Sequence, residues 1–270
     1  MAPSPTWCQA DTRFRPFLRQ MPLIPDVSPL QLGLIIGLAT FSGIAGGVAG
    51  YGTGAIMPLV LVPLVGAKPV VPIIAISAMF TNSARIVAFR KRLDLRLAAI
   101  ALVCALPTCV LGAWLYTLLS GRGAALVIGL TLIATVPLRR ILRRRGRRLG
   151  DKGYAAGALL WGLVVGGTTG SGVILLSLLM ATGLEGAAVI ATDSLVSVAI
   201  GVVKLSVFGY AGVITPIVLA IGCLIGGIGF CSTFIARLIV ERMPVHVHTA
   251  ILDVVVIAGA AIMIFDAVRP

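Results

Sequence analysis

Gly43-Ile44-Ala45-Gly46-Gly47-Val48-Ala49-Gly50-Tyr51-Gly52-Thr53-Gly54 sits inside an apolar run from about residue 30 to 65. Gly166-Gly167-Thr168-Thr169-Gly170-Ser171-Gly172 sits inside a second, from about 154 to 182. Sliding the chain on itself by 120 residues pairs Gly46 with Gly166, Gly47 with Gly167, Gly50 with Gly170 and Gly52 with Gly172. A helix over the whole first run would be roughly 54 Å long, against a hydrocarbon core of ~30 Å. Glycine inside a helix costs about 1 kcal/mol relative to alanine, so the cluster needs a reason. These positions predict helices broken at the glycines, with Pro58 and Pro63 limiting helix continuity after the first break.

Composition names the solvent. The chain is 59% hydrophobic and 11% charged with a mean hydropathy of +1.08, whereas soluble domains carry about 25% charged residues. The net charge of +13 does not imply nucleic acid, because the basic residues sit between apolar runs. Arg139, Arg140, Arg143, Arg144, Arg145, Arg147, Arg148 and Lys152 form one group; Arg85, Arg90, Lys91, Arg92 and Arg96 form another. The positive-inside rule assigns such groups to cytoplasmic loops, and the larger one also suits anionic lipid. The cysteines, Cys8, Cys104, Cys109, Cys223 and Cys231, have no metal-ligand spacing and read as buried small hydrophobes. Residues 1–29 hold six prolines and Arg13, Arg15 and Arg19 without a continuous apolar stretch, which fits a tail and not a cleaved signal peptide.

The remaining apolar runs cover about 70–89, 97–119, 123–138, 186–208, 211–236 and 248–267. The fold class expected is therefore all-α: a polytopic membrane protein of about eight hydrophobic segments in two homologous halves, the first segment of each broken at its glycines. Its parts are an N-terminal tail (1–29), transmembrane repeat 1 (30–138), a basic cytoplasmic linker (139–153) and transmembrane repeat 2 (154–270). If each broken segment crosses once, the repeats are parallel; if it doubles back, they are inverted. The loop charges divide between the two.

The glycines carry a resemblance to the TauE/SafE sulfite-exporter family of membrane transporters. That family shows a G-G-x-x-G-x-G-G-G stretch followed by proline, here Gly46-Gly47-Val48-Ala49-Gly50-Tyr51-Gly52-Thr53-Gly54 with Pro58 after it. Val71-Pro72-Ile73-Ile74-Ala75-Ile76-Ser77 and Ala188-Val189-Ile190-Ala191-Thr192-Asp193-Ser194 look like its next stretch in each half. Arg92-Leu93-Asp94-Leu95-Arg96-Leu97 resembles its basic loop. Thr53 stands where the family has the middle glycine, and Val173-Ile174 where more glycine is usual. The resemblance covers residues 33–266 and implies movement of small, often sulfur-containing anions across the cell inner (plasma) membrane.

An anion also follows from the residues themselves. A broken helix offers free backbone N–H groups at a partly positive half-helix N-terminus, and glycine lets a ligand approach them. Oxyanions suit such donors. The candidate substrate-binding residues are Gly46, Gly47, Gly50, Gly52, Thr53, Gly54, Gly166, Gly167, Thr168, Thr169, Gly170, Ser171 and Gly172. The competing reading is tight helix packing through small residues.

Ionisable groups within spans add candidates. Asp193 and Lys204, eleven residues apart, fall within about 20° of each other on one helix face, with Ser197 between them. Asp193 is a candidate for proton or ion coupling. Lys204 is a candidate anion contact, or it snorkels to the interface. Ser77, Thr81, Asn82 and Arg85 form a polar face on the 70–89 run, with Asn82 and Arg85 as anion contacts, unless Arg85 is the first charge of the loop. Asp253 is an alternative protonatable group, and His246 and His248 read as interfacial. No cofactor, metal or catalytic residue is expected, since there is no Walker sequence, no HExxH and no nucleophile–base pair. The function expected is a secondary transporter of sulfite, organosulfonate or related carboxylate anions by alternating access, with an uncoupled anion channel as the alternative. Expected partners are the anionic substrate and the lipid bilayer, without nucleic acid; a homodimer is compatible with the sequence.

Overall fold

The computed structural model describes residues 29–49, 52–144, 149–240, 261, 264 and 265. Among them every regular element is helical. In chain order these are α1 (Pro29–Ala49), α2 (Gly52–Val65), α3 (Val70–Phe89), a 3-10 turn (Arg90–Arg92), α4 (Leu95–Thr117), α5 (Gly121–Arg144), α6 (Asp151–Gly167), α7 (Gly172–Ala181), α8 (Ala187–Tyr210) and α9 (Pro216–Val240). Among the described residues, four stretches are long and apolar enough to cross a membrane: Val70–Arg92, Leu95–Thr117, Ala187–Tyr210 and Pro216–Thr233. Gly33–Ile44, Thr53–Val65, Gly121–Thr135 and Gly172–Ala181 are shorter apolar helices. The run at 248–267 lies outside the described residues apart from positions 261, 264 and 265.

The second overlong run is divided into two helices. In that run, α6 stops at Gly167, Thr168 is extended at φ −141° and ψ −179°, and Gly170 turns the chain at φ +76°. Only glycine adopts such a φ without steric cost, which is why the reversal falls there. In the first, α1 ends at Ala49 and α2 opens at Gly52, while Gly50 and Tyr51 lie outside the described residues.

Three expectations need correcting. Pro58 and Pro63 lie inside α2 and do not end it. Prolines inside membrane helices are tolerated where protein surrounds them, and Pro58 supplies no amide hydrogen to the Gly54 carbonyl. The basic linker is not all loop: α5 continues through Arg144, carrying arginines at the helix end that favours cations. Cys223 and Cys231 are exposed, unlike buried Cys109, because α9 turns apolar residues such as Leu219 and Phe230 outwards too.

Helix α4 packs against α6 and α8, while α3 packs against α8 and α9, and α9 also covers α1. Exchanging α1–α4 with α6–α9 turns α1·α9 into α6·α4, α3·α9 into α8·α4, and α2·α3 into α7·α8. Two apolar cores result, one around Met57, Ile73 and Ile128, the other around Trp161, Leu175 and Leu179. Arg96 pairs with Asp151 where α4 and α6 begin.

Glycine sets how closely α4 and α6 approach. A Cβ on Gly162 would stand 2.2 Å from Thr108 Oγ1 and 2.5 Å from the Ala105 carbonyl oxygen. Thr108 Oγ1 donates across this contact to the Leu159 carbonyl at 2.8 Å. Gly162→Ala is therefore expected to lower stability by about 1–3 kcal/mol, the usual cost of overpacking. An unchanged denaturation midpoint in detergent would contradict this close approach.

Candidate functional site

The second glycine-rich break meets the first turn of α2. A Cβ on Gly54 would lie 3.1 Å from the Gly170 amide nitrogen, and one on Gly170 would lie 3.1 Å from the Gly54 carbonyl oxygen. Backbone thus touches backbone, an approach that only residues without side chains permit. Beside this crossing is a cavity of ≈ 120 Å³ lined by α2, α3, α6, α8 and the α6–α7 break. Pockets for drug-sized ligands begin near ~300 Å³, so this one suits an anion of a few heavy atoms.

The break is fixed from two sides. Trp161 Nε1 donates to the Ser171 carbonyl at 2.9 Å, and Lys204 Nζ donates to the carbonyls of Val165 at 2.8 Å and Thr168 at 3.0 Å. Thr168 Oγ1 donates back to the Val164 carbonyl at 2.7 Å. In contrast, Thr169 Oγ1, Ser171 Oγ and Asp193 Oδ1 are buried without a hydrogen-bond partner among the described residues. Buried polar atoms are nearly always satisfied in folded proteins, so such atoms around one cavity mark a place for a ligand or water.

Helix α3 supplies a further part of the lining. Ser77, Thr81, Asn82 and Arg85 recur at helical spacing and are all buried. The Arg85 Nη1 donates to Asn82 Oδ1 at 3.2 Å, orienting the guanidinium. Helix α8 contributes Asp193, Ser197 and Lys204 along one stripe. When all three charged groups are ionised, the cavity carries one carboxylate against two cations.

Of the sequence-derived candidates, Thr53, Gly54, Asn82, Arg85, Thr168, Thr169, Gly170, Ser171, Gly172, Asp193 and Lys204 line this one cavity. Gly166 and Gly167 do not. A Cβ on Gly166 would stand 2.3 Å from the Cys109 carbonyl oxygen, and one on Gly167 3.0 Å from that of Gly112, so both serve packing against α4. Gly46 and Gly47 fall in the last turn of α1 and Gly52 opens α2, whereas Gly50 lies outside the described residues. His246, His248 and Asp253 also lie outside them. The sequence reading passed over Trp161, although a buried indole N–H usually finds an acceptor.

No curated protein and no solved structure matches the chain. The family model described as Sulfite exporter TauE/SafE matches residues 35–263, nearly all of the sequence beyond its first stretch. A match of that extent, over helices apolar enough to cross a membrane, makes this chain a membrane protein that belongs to the TauE/SafE sulfite exporter family.

Proposed function

We propose that this chain is a secondary transporter of a small oxyanion, such as sulfite, an organosulfonate or a related carboxylate, bound where the second glycine break meets the first turn of α2. The observation that carries this reading is one small cavity lined by Arg85 and by Thr169 and Ser171, whose hydroxyls have no hydrogen-bond partner among the described residues. A planar guanidinium matches two oxygens of a sulfite, sulfonate or carboxylate group, and hydroxyls donate to a third contact. The protein is taken to sit in the inner membrane and to work by rocking one half against the other around this site.

The duplication that such rocking requires is supported by corresponding contacts. Gly112 of α4 meets Leu163 of α6, and Gly229 of α9 meets Gly43 of α1. Leu163 follows Gly43 by 120 positions, and Gly229 follows Gly112 by 117. The charged residues break this correspondence, since Arg85 comes from the first half and Asp193 and Lys204 from the second.

Saturable counterflow of labelled sulfite or ethanesulfonate in proteoliposomes tests the function. Unitary currents without counterflow would instead identify an uncoupled channel. We assign proton coupling to Asp193, whose Oδ1 is buried in the cavity without a partner. Asp193→Asn is expected to keep counterflow while uptake loses its response to an imposed pH gradient. A variant that still accelerates with the gradient removes Asp193 from the coupling step.

A further inference from the structure

Lys204 is 6% exposed, and among the described residues its ammonium donates to two backbone carbonyls of a single broken segment, those of Val165 and Thr168. These carbonyls stand at the C-terminal end of α6, where the chain leaves the helix and offers no following helical amides to them. The helix dipole adds negative potential at that end. Buried carbonyl oxygens at the end of a half-helix are a donor set for a small monovalent cation. Here a side chain from a neighbouring helix delivers a positive charge to the same place.

We infer that Lys204 is a tethered cation, filling the position that a sodium or potassium ion would otherwise take and holding the α6 break against α8. It is thus a positioning residue that acts on the anion through the shape of the Thr168–Ser171 segment. Two of its three N–H donors are already committed, so the charge is not free to travel with a substrate. The consequence for transport, that the wild type needs no sodium, rests on the function proposed above. The consequence for stability does not.

Purified wild type, Lys204→Ala and Lys204→Met are compared by thermal unfolding in sodium, potassium or N-methylglucamine chloride at equal ionic strength. In N-methylglucamine, K204A is expected to melt about 5 °C or more below the wild type, having lost two charge-assisted hydrogen bonds. Sodium or potassium then restores the midpoint along a saturating curve, as for any ligand that binds only the folded state. The wild type does not respond. K204M fills the space without the charge, so it melts low in every salt.

K204A as stable as the wild type in N-methylglucamine overturns the inference, as does K204A that no cation rescues. A cation response in K204M overturns it as well. If K204A does not survive purification, its monodisperse yield on extraction in sodium against N-methylglucamine is the readout, and equal yields count against the tethered cation. In proteoliposomes, K204A should acquire a sodium or potassium requirement that the wild type lacks. Failure of anion uptake by the wild type would defeat the transport reading alone.

Discussion

Gly54→Leu and Gly170→Leu are each expected to reduce counterflow by about 100-fold or more, while Gly186→Leu leaves it within a few-fold of wild type. The three positions separate two effects that glycine substitutions usually mix. Gly170 has φ +76° and Gly186 φ +56° with ψ −130°, backbone conformations that L side chains rarely adopt, so a side chain at either costs about 1–3 kcal/mol of backbone strain. Around Gly186 nothing lies within 4 Å of a built Cβ, so strain is the whole cost there. At Gly170 the Cβ would also stand 2.7 Å from Leu132 Cδ2 and 3.1 Å from the Gly54 carbonyl. Gly54 offers the complementary case. It is helical and unstrained, yet its Cβ would press on the Gly170 backbone at 3.1 and 3.3 Å. Loss of exchange in both crossing variants, at normal monodisperse yield and with Gly186→Leu active, identifies the crossing itself as the functional element. Normal exchange by Gly54→Leu would remove the crossing from the transport site.

The second break was legible because it rests on arithmetic: a run of apolar residues longer than a bilayer is thick must bend, and glycine says where. The roles of the residues within it were not. Gly166 and Gly170 occur in one short stretch, yet the first lets α6 approach α4 and the second turns the chain over a cavity. Missing side chains serve helix packing and ligand access equally, so residue type alone does not separate them. Lys204 posed a similar difficulty. A cation within a span signals cost and purpose, but its acceptors lie 39 and 36 positions earlier and are backbone atoms, which no side-chain pattern records. The polar face of α3 was more readable, since Ser77, Thr81 and Arg85 recur at helical spacing and share one wall. The end of α5 misled the hydropathy reading because arginine is a good helix former and charge ends an apolar run without ending a helix.

Arg85→Gln is expected to weaken the anion's half-saturation concentration by roughly 10–150-fold, the equivalent of one charge-assisted hydrogen bond of about 1.5–3 kcal/mol. Lys204 does not substitute for it, since its ammonium is engaged with the Val165 and Thr168 carbonyls. Arg85→Lys keeps the charge but loses the planar fork, so an intermediate value is expected. Arg85→Gln carries a second effect that must be separated from binding. It leaves the buried Asp193 carboxylate facing the cavity with one cation fewer, and breaking one side of a buried charge arrangement typically costs about 3–5 kcal/mol. Adding Asp193→Asn removes that burden. The double variant should therefore regain much of the thermal stability lost by Arg85→Gln, yet still bind the anion weakly, because neutralising Asp193 creates no new donor for an oxyanion's oxygens. If the double variant recovered affinity together with stability, Arg85 would be a structural counter-charge to Asp193 and the anion would be held elsewhere. A split, with stability restored and half-saturation still high, assigns the guanidinium to the substrate.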